Sequence, residues 1–267
     1  MTFQPVVPAS GMAGWRFLER TYEAQFSAFN AAPEITRDTE YFSANIADVD
    51  SAEDLVSDRR LLRVALGAFG LENDIDNRFF IKKILEDGTL NDDALANRLS
   101  DTRYQEFSAA FGFGSFEISQ VKFSDFAPKI IDRYRQQEFE IAVGQQSDAM
   151  RIALFAQREL AKVAESDMNE DAKWFTIMGQ PPLRSLFETT FNLPLSFGQI
   201  DIDQQLSILK DRASDQFGSG EVAQFAALSA QDELVTQYIA RSQLREINST
   251  STSGSIALTL LQSAARR

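Results

Sequence analysis

Residues 51–113 hold the strongest constraint in the chain, because a polar residue able to cap a helix recurs ahead of each apolar run. Ser51, Asp58, Asn77, Asn91 and Asp101 stand where a side-chain oxygen can accept hydrogen bonds from the free N–H groups of a first turn. Asp54, three residues after Ser51, makes an imperfect capping box. Behind the caps the apolar residues follow a helical period: Leu62, Leu66 and Phe69, then Phe80, Ile81, Ile84 and Leu85, then Ala94, Leu95 and Leu99, then Tyr104, Phe107 and Phe111. Gly70 and Gly88 are placed to stop their helices. Gly112 and Gly114 read as another stop, since no strand precedes them and no lysine follows at the spacing of a nucleotide loop. Such a run specifies short helices folded on one another, and it names no chemistry.

The same signals extend over most of the chain. Residues 1–9 hold Pro5 and Pro8 without a helical period and are expected to be extended or flexible. Ser10 opens a helix to about Asn30, with Trp15, Leu18, Tyr22 and Phe26 on one face. Pro33 suits the first turn of the next. Residues 126–165 read as one long helix with a bend or break at Gly144, its seam interrupted by Glu138, Gln145 and Asp148. Further helices are expected around Trp174, at 183–191, from Asp201 or Asp203 through Phe217, and over 221–246. Alternations such as VKF at 121–123 and SFGQID at 196–201 are too brief to found a sheet. The expected fold is therefore all-α: a bundle of short capped helices plus one long helix. It forms a single domain over 10–246 with a subdivision conceivable near 115–125. A Ser/Thr-rich linker and a C-terminal apolar helix follow over 247–267.

Composition narrows the chemistry. Among 267 residues there is no Cys and no His. That excludes disulfides, thiolate nucleophiles and Ser-His-Asp or Cys-His sites, and it removes the commonest metal ligands. Catalysis would have to use carboxylates, Lys, Tyr or a Ser–Lys pair; no enzyme activity, cofactor or metal is expected. The formal charge of −13 opposes nucleic acid and anionic lipid. No stretch of apolar residues is long enough for a membrane span, and the first residues lack a secretory signal, so the expected location is cytoplasmic or exported without a cleaved signal. Phe occurs 22 times against 5 Tyr and 2 Trp, which points to aromatic core filling between helices.

Few residues stand out as sites. Arg59, Arg60 and Arg63 follow an acidic stretch at 34–58 and could bind an acidic partner, but could equally pair with that stretch or with Asp101 and Glu106. Ile256, Leu260 and Leu261 form an apolar segment suited either to a partner's groove or to folding back. Asp74 and Asp76, with Asn73 and Asn77, are oxygen-rich, yet they lack the spacing of a calcium loop and read more simply as helix caps; Asp201 and Asp203 read the same way. A faint internal echo links LLR-V at 61–64, FGL at 69–71 and ILED at 84–87 to PLR-SL at 182–186, FNL at 191–193 and ILKD at 208–211. Chance likeness of similarly capped amphipathic helices is the simpler account.

The runs DLVSDRRLLRVALGAFGL, FFIKKILEDG and ALANRLSDTRYQEFSAAFGF resemble the bacterial family known as domain of unknown function 1217. PPLRSLFETTFNLP and IDIDQQLSILKDR resemble its second portion. Members occur mainly in alphaproteobacteria, often encoded among flagellar genes. The resemblance implies a flagellar role with protein partners and supplies no catalytic residues. The expected function is a non-enzymatic helical structural or assembly protein. The alternatives are a cytoplasmic chaperone or adaptor for an exported flagellar subunit, which cell fractionation separates, and a carboxylate- or lysine-based enzyme. A pocket holding a carboxylate of strongly shifted pKa would favour the last.

Overall fold

The computed structural model describes residues 3–114 and 119–264, without the side chains of 249–264. Among the described residues there are helices and turns but no strand. The α-helices in chain order are α1 (Gly11–Asn30), α2 (Pro33–Asn45), α3 (Ala52–Ser57), α4 (Arg59–Gly67), α5 (Arg78–Asp87), α6 (Leu95–Arg98) and α7 (Arg103–Phe111). There follow α8 (Phe126–Gly144), α9 (Asp148–Glu165), α10 (Glu170–Gly179), α11 (Pro181–Thr190), α12 (Ile202–Phe217) and α13 (Leu228–Ala264). The all-α expectation holds. The two stretches that hinted at strands lie at the 3-10 turns Gln120–Lys122 and Leu195–Gln199.

Ser51, Asp58 and Asp201 cap as their chemistry requires, while Asn77 makes no side-chain cap bond to α5. Ser51 accepts from the Asp54 N–H while the Asp54 carboxylate accepts from the Ser51 N–H at 2.9 Å, so the box is complete. Asp58 accepts from the N–H groups of Arg60 and Leu61. Asp201 does the same for Asp203 and Gln204. Gly112 closes α7 in the left-handed region, at φ 69°. Asn91 is less effective than expected: it accepts from the Asp93 N–H, but regular helix forms only at the four residues of α6.

Three expectations need correction. The long helix is two, because Gly144 ends α8 and the Ser147 hydroxyl accepts from the Met150 N–H at the start of α9. No linker appears after 246; α13 runs on through Ala264. Residues 3–8 form no helix, as the extended reading expected, but they are not loose at Pro5 and Val6: Val6 exchanges two hydrogen bonds with the side chain of Gln25 and Gln146 donates to the Pro5 carbonyl.

The chain divides into two compact units, and neither is continuous in sequence. The first comprises Met1–Val6, Arg20–Arg151 and Phe175–Pro181; the second comprises Val7–Glu19, Ile152–Trp174 and Pro182–Arg267. The division does not follow the expected boundary near 115–125. In the first unit α2 packs on α4 and α8, and α3 on α4 and α5. Its rings gather in two clusters. Phe69, Phe107, Phe111 and Phe126 meet edge-on or tilted, and Phe139 receives Tyr22, Phe26 and Phe29. In the second unit Phe187 sits among Trp174, Phe191 and Phe225. The buried Trp174 indole N–H donates to the Gly220 carbonyl at 2.9 Å, so its polar atom is satisfied.

The echo in the sequence has a geometric counterpart. After α4, Leu71 N–H donates back five residues to Leu66 and Gly70 lies at φ 68°. After α11, Leu193 N–H donates back five residues to Glu188 and Asn192 lies at φ 52°. Both are Schellman turns with a buried Phe before and a buried Leu after the left-handed residue. A shared turn of this kind is more than amphipathic patterning alone requires.

Gly114 fixes how the chain leaves α7. A Cβ there would lie 2.1 Å from the Glu86 carbonyl oxygen and 2.6 Å from the Gly88 nitrogen, and backbone cannot step aside as a side chain can. Gly114→Ala is therefore expected to lower stability by about 3 kcal/mol, as overpacking against a fixed neighbour does. Urea unfolding followed by circular dichroism measures this; an unchanged midpoint would disprove the close approach.

Candidate functional site

Two clefts, one in each unit, are the candidates for a site, and a third of about 460 Å³ in the first unit is lined by Phe69, Phe123, Phe126, Asp125, Lys129 and Arg133. The first has a volume of about 370 Å³ and is walled by α2, α4 and α8 of the first unit. Glu34, Arg37 and Asp38 come from α2, Arg63 from α4, and Tyr134 and Glu138, one turn apart, from α8. The wall between α4 and α8 is thin because of Gly67. A Cβ there would lie 2.8 Å from the Tyr134 ring and 3.3 Å from a Glu138 oxygen, so only glycine admits both side chains. Arg63 pairs with Asp38 at 3.3 Å, and the Arg37 guanidinium donates to the Pro33 carbonyl at 3.0 Å.

Burial pushes the Glu138 carboxyl up to about 7, helped by the negative charges of Glu72 and Asp38 and opposed by Arg63. Burial also raises the Tyr134 phenol, with Glu138 and Asp38 adding to the effect. Tyr134 is only 3% exposed, yet its hydroxyl makes no hydrogen bond among the described residues. A carboxyl titrating near neutrality beside a neutral phenol can exchange a proton or accept hydrogen bonds from a ligand.

The second cleft, of about 430 Å³, lies in the second unit, where the 3-10 turn Leu195–Gln199 meets α12. Leu193, Pro194, Phe197, Ile200 and Ile208 give it apolar walls, and Asp211, Arg212 and Asp215 stand along it. Next to it Leu195 is wholly exposed, and Ile200 and Ile202 are also exposed. Pro194 starts this arrangement: it lacks an N–H and accepts from Phe197, which turns the chain and throws Leu195 outward.

The residues singled out in the sequence fare unevenly. Arg59 pairs with Asp76 at 2.7 Å, both exposed. Arg60 donates to the Arg37 carbonyl and lies 3.8 Å over the Tyr41 ring. With Arg63 on Asp38, Arg60 and Arg63 tie to the preceding stretch while Arg59 ties forward to Asp76, and of the three Arg63 lines the polar cleft. Asp101 and Glu106 take other partners, Arg103 and Arg133. The side chains of Ile256, Leu260 and Leu261 lie outside the described residues. Asp74 accepts from the Tyr104 hydroxyl at 2.7 Å and from the Asn77 amide at 2.8 Å, while Asn77 does not cap α5 with its side chain. Burial and that Asp74 contact push the Tyr104 phenol up to about 12. Among the described residues no three carboxylates gather as they would around a metal ion.

The model of the family described as "Protein of unknown function (DUF1217)" matches residues 68–234, and the chain belongs to that family. The crystal structure of protein AGR_C_984 from Agrobacterium tumefaciens is similar at a TM-score of 0.74 and 22% identity, over 91% of this chain and 99% of that one. At that identity the likeness speaks to the fold alone. No curated protein matches the chain. Among the described residues no helix is long and apolar enough to cross a membrane.

Proposed function

We propose that the protein is a helical assembly protein of the bacterial flagellum that works by contact with other proteins. The apolar cleft of the second unit carries this reading. Leu195, Ile200 and Ile202 stay in water around a concave apolar wall, an arrangement suited to an apolar stretch of a partner polypeptide. The two carboxylates and one arginine along the cleft favour a partner with basic residues flanking that stretch. The flagellar part rests on the genomic company of the family that the sequence resembles.

The test is complementation of a deletion strain. Motility is expected to fail on deletion, to return with the intact chain, and to stay lost with Leu195→Asp/Ile200→Asp. Both positions are exposed, so the fold should tolerate the change, which circular dichroism can check. Normal flagella in the deletion strain would end the flagellar reading; rescue by the double variant would end the role of the cleft. A second reading, an enzyme using a carboxylate, is favoured by the raised Glu138 in a polar cleft. Turnover by the purified protein that Glu138→Gln abolishes would replace the first reading with this one.

A further inference from the structure

The polar cleft of the first unit has its own meaning, independent of the assembly reading. We infer that it binds an organic monocation rich in N–H donors, an alkylammonium or alkylguanidinium group, between Tyr134 and Glu138. The Tyr134 side chain is buried as a whole, but its hydroxyl faces the cleft and has no hydrogen-bond partner among the described residues, so it is free to meet a ligand. Glu138, one turn further along α8, makes no hydrogen bond or ion pair among them either, although it lines the same cleft.

The cations of the cleft are already engaged, Arg63 with Asp38 and Arg37 with the Pro33 carbonyl. One carboxylate oxygen of Glu72, whose charge acts on Glu138, is buried without a hydrogen bond. Oxygen acceptors therefore outnumber donors: among the lining residues Glu34, Asp38 and Glu138 stand against Arg37 and Arg63, a surplus of one negative charge once Glu138 ionises, with Glu72 adding its field from outside the lining. A dication would need more converging carboxylates than the described residues bring together. A group with several N–H donors and one positive charge meets both requirements, forming charge-assisted bonds to Glu138 and a bond to the Tyr134 oxygen.

Binding should depend on pH. The groups facing Glu138 are Glu34, Arg37 and Asp38 from α2, Arg63 from α4, Glu72 from the turn after α4, and Tyr134 from α8. Glu138 titrates at about 7. Its ionised fraction grows by about ten-fold between pH 6 and 8, and affinity for the cation should grow by the same factor.

Titration of the full-length protein with butylammonium, butylguanidinium and tetramethylammonium chloride tests this, by calorimetry and by ¹⁵N NMR. Saturable binding of the first two at pH 8, about ten-fold weaker at pH 6 and lost in Glu138→Gln, is the expected result. Tetramethylammonium, which has no N–H, should bind at least ten-fold more weakly. Tyr134→Phe keeps the ring packed against Gly67 and should weaken binding several-fold while leaving the pH profile intact. A capped peptide with a single arginine distinguishes the sources. If it binds as well as butylguanidinium, the ligand is a side chain of another protein; if it is excluded while the free cation binds, the ligand is a small molecule. No saturable binding at pH 8, equal binding by Glu138→Gln, or equal binding of tetramethylammonium would each overturn the inference.

Discussion

Phe187→Ala is expected to lower the stability of the second unit by about 3–5 kcal/mol, the range for emptying a buried phenylalanine site. Phe187 is wholly buried, and its ring centroid lies 5.1 Å from Trp174 and 5.5 Å from both Phe191 and Phe225. These partners come from α10, the turn after α11 and the 3-10 turn Val222–Ala226, so no single neighbour can move in to fill the space. α10 is further fixed by Glu170, which accepts from the Val222 N–H, and by Lys173, which donates to the Ala164 carbonyl. Phe187→Leu keeps most of the volume and should cost about 1.5 kcal/mol. Tryptophan fluorescence during urea unfolding reads this directly, because Trp15 and Trp174 both belong to the second unit. A midpoint for Phe187→Ala within error of the parent would show that the aromatic cluster is not what holds this unit.

Much of the helical framework was legible because its signals are local. A cap needs one oxygen within three residues, and Ser51, Asp58 and Asp201 act through bonds of that range. The left-handed stops at Gly70, Gly88, Gly112 and Gly218 are equally local. Where local signals compete, sequence reading fell short. Gly144 alone could have been a bend; Ser147, a second cap three residues later, made it a break. The Ser/Thr/Gly composition of 247–255 suggested a linker, but α13 arrives there already formed, and extending a helix is far easier than nucleating one. The interleaving of the two units had no sequence signal at all, since it depends on which distant segments meet.

The clefts were less legible for the same reason. Glu34 and Asp38 looked like part of an acidic stretch, and Arg63 like part of a basic trio. Their meeting with α8 is set by the crossing of helices far apart in sequence. One clue was present: Glu138 falls one turn after Tyr134 on the inward side of α8, where it broke an apolar seam. A charged residue on a buried face is a candidate site. Gly67 inside a helix was another, because glycine there weakens the helix unless close packing needs it. The apolar cleft of the second unit was hidden by its lack of period; SFGQI fits neither helix nor strand, and its exposed residues matter only once Pro194 has turned the chain.

Glu138→Gln is expected to make the protein more stable at pH 8 by about 2 kcal/mol and to leave it unchanged below pH 4.5. The sign follows from where the proton resides. The Glu138 carboxyl rises from an ordinary 4.5 to about 7 on folding, mainly through burial. Between those values the folded state holds the proton more tightly than the unfolded chain does. Folding is therefore favoured at acid pH, and that contribution is lost as pH rises through about 7. The full shift is worth at most about 3 kcal/mol, reduced by the partial solvent access of the cleft. Glutamine keeps the shape and carries no charge, so it avoids the cost of ionising a carboxyl with no hydrogen-bond donor. Other groups run the opposite way. Asp58, held down by hydrogen bonds from Tyr41 and the α4 N–H groups, and Glu170, held down by Lys173 and the Val222 N–H, lose their contribution as pH falls. Those terms are common to both proteins and cancel in the difference. Urea midpoints of parent and variant, measured by circular dichroism from pH 4 to 8.5, should diverge only above about pH 4.5, with most of the gap open by pH 8. Two curves that stay parallel across that window would place Glu138 in ordinary solvent, and the cation site between it and Tyr134 would fall with it.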